Sequence, residues 1–293
     1  MNTPLLRASL ALLAAPALAG VLAAQTPPPA KLQFPAPSPA STLKQRVGLT
    51  DIEIDYSRPS LKGRVLVGNI NPYGEVWRVG ANAATRITFS TPVTFGGTPV
   101  PAGTYGLFAI PGPVEWTVIL NKTAKQWGAY QYDAKEDVVR VPATAVKIDP
   151  PVETFTIDIN DVRDESATLN LIWAGWRVPV KLGVDVVSIL EPQIEAFMAS
   201  DAPKKPYAQV AMFYGDHHIH LDEAVKWMDT AIAAQPDAYY LYYHKGIILA
   251  AMGDKAGAEA AAQKSLELVA KATGPEKGEY TRLNEALIAS LHG

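Results

Sequence analysis

Between Ser57 and Asn82 the chain reads SRPSLKGRVLVGNINPYGEVWRVGAN, a stretch rich in side chains that bind anions and stack on rings. Arg58, Lys62, Arg64 and Arg78 stand there against one acid, Glu75, within a chain of formal net charge −3. A guanidinium offers a planar fork of N–H donors to a carboxylate or phosphate, and an aromatic face stacks on a sugar ring or a cation. Tyr73, Trp77 and Asn82 are interleaved with these cations, while Gly63, Gly68, Gly74, Gly80, Pro59 and Pro72 interrupt any regular element. A second aromatic run follows a predicted strand, where Lys122 and Lys125 accompany Trp127, Tyr130 and Tyr132. Together the two runs nominate Arg58, Lys62, Arg64, Tyr73, Trp77, Arg78, Asn82, Trp127 and Tyr130 as a binding set for a small anionic or carbohydrate ligand. The same residue types serve architecture as readily. Arginine pins loop carbonyls, and Trp and Tyr cap the end of a β-sandwich core. Where these side chains point decides between the two.

Other chemistry has weaker support. Three histidines crowd into Asp216-His217-His218-Ile219-His220. Imidazoles bind transition metals, but this spacing lacks the i, i+4 pair of a helical site, and a solvated loop ahead of a helix explains it. No metal and no cofactor is expected. There is no Gly-x-Ser-x-Gly elbow, and no histidine precedes His217. Asp51, Glu53 and Asp55 share one face of a predicted strand, as on any solvated strand, and Gly96-Gly97 reads as a hairpin turn rather than a phosphate cradle.

The elements that position these residues are legible from periodicity. Period-two alternation begins near Leu43 and continues to about Val187. It predicts strands at Asp51–Ser57, Thr85–Ser90, Val93–Phe95, Thr98–Val100, Thr104–Ile110, Glu115–Asn121, Asp137–Val141, Thr154–Asn160, Ala167–Trp173 and Arg177–Val184. Many short strands with Gly and Pro turns and no intervening helix point to an antiparallel β-sandwich, with a barrel as the open alternative. After Val187 the period becomes helical, with helices expected at Glu191–Ser200, Pro203–Tyr214, Leu221–Ala234, Ala238–Met252, Lys255–Thr273 and Pro275–Leu291. The expected fold class is thus mainly β plus α: a sandwich over 41–186 and a helical domain over 187–293.

Composition bounds the rest. The 293 residues contain 24 prolines and no cysteine, which excludes disulfides, thiolate metal sites and a cysteine nucleophile. A mild negative charge argues against nucleic acid as a partner. Arg7 followed by the Ala/Leu run to Ala24 has the charged start, apolar middle and small-residue end of a secretory signal peptide, with cleavage after Ala19 or Ala24. A Pro-rich linker at 25–40 follows. No later stretch approaches spanning length, so the mature protein is expected to be exported, periplasmic or secreted, with no membrane span.

Two resemblances add to this. Ala224, Met228, Ala231 and Pro236 have the spacing of the second helix and exit of a tetratricopeptide unit. A shift of about 34 residues carries the first three onto Ala258, Ala262 and Ser265, with Tyr242, Gly246 and Leu249 between them. The tail therefore resembles about two such units with flanking helices, a form suited to holding a protein segment. In the β part, Tyr56-Ser57-Arg58-Pro59-Ser60-x-Lys62-Gly63-Arg64 and Asn71-Pro72-Tyr73-Gly74-x-Val76-Trp77-Arg78-x-Gly80-Ala81-Asn82-x-Ala84-Thr85 resemble the domain-of-unknown-function family 2911. So do Ala102-Gly103-Thr104-Tyr105-Gly106-Leu107-Phe108, Trp116-Thr117-Val118-Ile119 and Trp127-Gly128-Ala129-Tyr130. Val79 stands where that pattern has Thr. The resemblance implies exported bacterial proteins, several with a helical tail, and carries no activity, substrate or catalytic assignment. The functional expectation is an exported binding or scaffold protein. The alternative from another class is an envelope glycan hydrolase or lyase, using carboxylates near the Arg/Trp loops.

Overall fold

The computed structural model describes residues 33–66 and 71–293. The expected leader at 1–24, the first part of the linker at 25–40 and Gly68 of the signature stretch lie outside the described residues.

Alternation of apolar and polar side chains builds the first ten elements. Strand β1 (Ala40–Val47) pairs antiparallel with β2 (Thr50–Ser57), from Ala40 opposite Ser57 to Val47 opposite Thr50. In β2 Ile52, Ile54 and Tyr56 turn inward, while Asp51, Glu53 and Asp55 keep to the other face. β3 (Thr85–Phe89), β6 (Gly103–Ile110), β7 (Glu115–Asn121) and β8 (Asp137–Thr144) extend this sheet in the order β1-β2-β3-β6-β7-β8. β4 (Val93–Phe95) and β5 (Thr98–Val100) form the hairpin expected at Gly96-Gly97. With β9 (Val146–Asn160) and β10 (Ser166–Val184) they make a second antiparallel sheet ordered β5-β4-β10-β9. The two sheets share one core, in which Ile54, Ile87, Phe89 and Leu107 of the first meet Phe155, Leu169, Leu171 and Val180 of the second. This is a sandwich, and there is no closed barrel.

One strand assignment needs correction. Ala167–Trp173 and Arg177–Val184 are a single strand, β10, with irregular register around Ala174, whose φ is +51°. Likewise β9 starts at Val146, well before the expected Thr154.

Six helices follow: α1 (Val186–Ala199), α2 (Tyr207–Asp216), α3 (Leu221–Ala234), α4 (Tyr239–Ala251), α5 (Lys255–Lys271) and α6 (Lys277–His292). Among the described residues no helix is long and apolar enough to cross a membrane. Small side chains set the helix spacing. Ala224, Met228 and Ala231 are buried on α3, as are Ala258, Ala262 and Ser265 on α5. A Cβ on Gly246 of α4 would stand 2.9 Å from Leu287 of α6 and 3.2 Å from the Ala258 carbonyl of α5.

Only Asp185 separates β10 from α1. Its carboxylate accepts from the Ser188 hydroxyl and amide, hydrogen bonds that hold its pKa below the ordinary value and cap the helix. Val184 and Val186 both belong to the sandwich core, with Phe213 of α2 packed against it. Strand and helix therefore meet over shared apolar surface rather than through a free linker.

Candidate functional site

The basic-aromatic stretch divides into a pinned part and a surface part. Arg58 spans the two sheets. Its Nε donates to the Phe155 carbonyl at 3.0 Å and its Nη2 to the Thr156 hydroxyl at 2.8 Å, both on β9. Arg64 closes its own turn, with Nε on the Leu61 carbonyl at 3.0 Å and Nη2 on the Ser60 carbonyl at 2.8 Å. Lys62 occupies that turn at φ +49°, and its backbone amide donates to Glu153 Oε1. Two of the cations nominated for a ligand are thus committed to backbone oxygens. Arg58→Ala should lower stability by about 1–3 kcal/mol, because a partly buried carbonyl loses a charged donor. Urea unfolding monitored by near-UV circular dichroism measures this, and an unchanged midpoint would show that the sheets are joined elsewhere.

Trp77 is core. It is 4% exposed, lies near-parallel to Trp173 at 5.8 Å, and meets Phe155 and Trp116 in edge geometry at 5.0 and 6.2 Å. Its backbone exchanges hydrogen bonds with Ala109, so residue 77 sits beside β6 where β3 has ended. Its indole N–H donates to the Gly80 carbonyl. This placement leaves Trp77 no face to offer a ligand.

Arg78, Asn82, Trp127 and Tyr130 do come together. Arg78 Nη1 donates to the Asn82 carbonyl at 3.0 Å, and its guanidinium carbon lies 6.0 Å from the Tyr130 ring centroid. The Gly128 amide donates to the same Asn82 carbonyl, and Ala83 bridges Trp127. Trp127 is 64% and Tyr130 81% exposed. Val79 at φ +52° and Asn82 at φ +60° hold left-handed conformations that an ordinary side chain resists. The Thr85 hydroxyl on the Val79 carbonyl and the Asn82 amide on Ser38 and Ser57 fix them. Beneath, Tyr132 packs on Phe108 and donates to Asp137 Oδ2 at 2.7 Å. Burial first, then that bond, pushes its pKa up to about 12. The exposed aromatics therefore ride on a fixed loop. Tyr73 is also exposed, in a turn whose Gly74 amide reaches the Pro111 carbonyl.

A shallow groove adjoins this surface, with Asp55, Arg86, Ala83, Lys125 and Gln126 among its lining residues. Arg86 and Asp55 form an ion pair at 2.8 Å. Gln126 is 7% exposed. Its Nε2 donates to the Thr123 carbonyl, and among the described residues its Oε1 has no hydrogen-bond partner. Arg86 was missed from sequence because it sits on a strand that reads as simple alternation; only the pairing of β2 with β3 places it beside Asp55. Asp55 is the one carboxylate in the lining, and it is already engaged, whereas glycoside hydrolysis uses a facing pair.

The histidine run faces elsewhere. His220 hydrogen-bonds Glu191 of α1, and His217 packs on Phe213 with Nδ1 3.8 Å from Glu165 of the β9–β10 turn. Carboxylates and rings occupy these imidazoles, and His217 touches both halves of the chain.

Residues 38–182 match a family model described as a protein of unknown function, DUF2911. No curated protein and no solved structure matches the chain. The matched segment opens just before β1 and ends within β10, so it covers the sandwich and stops short of the helices. Through this β half, the chain belongs to the DUF2911 family of proteins of unknown function.

Proposed function

We propose that the chain is an exported binding protein whose β half holds a small carbohydrate or anionic ligand on the surface formed by Arg78, Trp127 and Tyr130. The exposure of Trp127 and Tyr130 carries this reading. A folding chain gains nothing by fixing two large rings in water, whereas a sugar face or a carboxylated ring stacks on them beside a guanidinium. With Arg86 paired to Asp55, Lys125 gives the adjoining groove a net positive charge for an acidic ligand. Export is inferred from the Arg7–Ala24 run. The helical half, read as tetratricopeptide-like from its small buried residues, would hold a protein segment.

Calorimetric titration of the full chain with an oligouronide and with a neutral oligosaccharide of equal length tests the β surface. Binding is expected to be saturable and tighter for the acidic sugar. The double variant Trp127→Ala/Tyr130→Ala should weaken it at least about tenfold, or 1.4 kcal/mol, while its melting temperature stays near that of the parent. Equal affinity in parent and variant would remove the proposal.

A further inference from the structure

We propose that a cleft between α1, α2 and α3 binds a primary alkylammonium group, such as a lysine side chain or a small diamine. It is independent of the β surface and encloses about 490 Å³, enough for an ammonium and its alkyl stem. Tyr207 and Trp227 supply aromatic surface, with the buried Tyr214 packed against Trp227; Glu195 and Glu223 supply negative charge, and Lys205 stands at one side.

Tyr214 is the decisive residue. It is 1% exposed and its ring lies 5.4 Å from that of Trp227, yet among the described residues its hydroxyl makes no hydrogen bond. The ring is buried, while the hydroxyl oxygen keeps accessible surface where the residue lines the cleft. Burial raises its pKa, and Glu223, Glu191 and Glu195 raise it further, so three carboxylates lie within electrostatic reach of this oxygen. Glu191 is held by His220, but Glu195 and Glu223 have no ion-pair partner among the described residues. Glu223 lies in the first turn of α3, where its charge also offsets the helix N-terminus; Glu195, on α1, has no such role. The Lys205 ammonium donates to the Met198 carbonyl rather than to either carboxylate, and the lining keeps a net charge of −1.

The chemistry narrows the ligand. Aromatic faces attract cations, and carboxylates together with a vacant hydroxyl lone pair accept N–H donors. An anion would meet two negative charges against the single Lys205 cation. A divalent metal ion would need a closer set of oxygen or imidazole ligands than two carboxylates on separate helices, and would gain nothing from the rings. A primary ammonium on an apolar stem uses the carboxylates, the hydroxyl and the exposed ring faces together, with Lys205 held aside on the Met198 carbonyl.

The full chain is titrated calorimetrically at low salt with cadaverine, with Nα-acetyl-lysine methylamide, and with its neutral Nε-acetylated counterpart. Saturable binding of the two amines and none of the neutral compound is expected, and the tighter amine identifies a free or a peptide-borne source. Glu195→Gln/Glu223→Gln should weaken binding about tenfold, with only the small fall in melting temperature that loss of the Glu223 charge at the α3 N-terminus entails, since both side chains are exposed. Glu195→Gln alone reports the same direction if the pair unfolds. Equal binding of the neutral compound, no saturable binding of either amine, or parental affinity in the Gln variants would overturn the proposal.

Discussion

Trp77→Ala is expected to destabilise the protein by about 3–5 kcal/mol, the range for removing a large buried aromatic side chain. Three effects add. The indole lies between the sheets, in contact with Trp173, Phe155 and Trp116, so its removal opens a cavity lined by rings that cannot all move inward. The Gly80 carbonyl loses its indole donor. The Arg78–Asn82 loop also loses its internal anchor, so the exposed Trp127 and Tyr130 should become mobile along with it. Urea unfolding gives the stability change, and fluorescence quenching by iodide reports the loop. A loss below about 1 kcal/mol would mean that the loop, rather than the core, was what held Trp77 in place.

Composition located this region but could not divide it. Trp77 and Trp127 are the same residue type on neighbouring irregular segments, and one is buried while the other is exposed. The difference is topological: residue 77 bridges Ala109 on β6 and turns into the sandwich, whereas residue 127 bridges Ala83 and rides above it. The arginines divide for a similar reason. Arg58 and Arg64 are satisfied mainly by main-chain carbonyls, which every residue possesses, so no side-chain pattern could announce them. Arg78 faces a tyrosine some fifty positions on, and only the fold sets that pairing.

Regular elements were legible where one physical cause acted alone. β7 has the expected limits Glu115–Asn121, where alternation at Glu115–Val118 passes into the buried run Val118-Ile119-Leu120, and α3 has the expected limits Leu221–Ala234, set by acids in its first turn and a break before Pro236. β9 extends past the expected start at Thr154 back through Pro151 and Pro150 to Val146. The strand lies at the edge of its sheet, where a residue without an N–H leaves no neighbour unpaired. α1 was started late because Val186-Val187 continues the apolar run of β10. The Asp185-x-x-Ser188 cap that begins the helix was the signal to read.

The second large effect belongs to the joint between the two halves. Gly48 opens the two-residue turn between β1 and β2 with φ +53°, and a Cβ there would lie 2.5 Å from the Asp164 carbonyl and 2.5 Å from Val186 Cγ2. The first neighbour is backbone of the β9–β10 turn and the second is the first residue of α1, so neither can step aside without moving an element. Gly48→Ala is therefore expected to cost about 2–4 kcal/mol, combining left-handed strain with overpacking. Gly97→Ala separates the two terms. It has φ +84° in the β4–β5 turn and nothing within 4 Å of its Cβ, so strain alone should remain, about 1–2 kcal/mol. Urea midpoints of the two variants give the difference directly. If Gly48→Ala loses clearly more, and limited proteolysis then cuts first near Asp185, the hairpin tip is the brace that seats α1 against the sandwich. Equal losses would assign the whole effect to the turn conformation and leave the joint to the apolar packing of Val184, Val186 and Phe213.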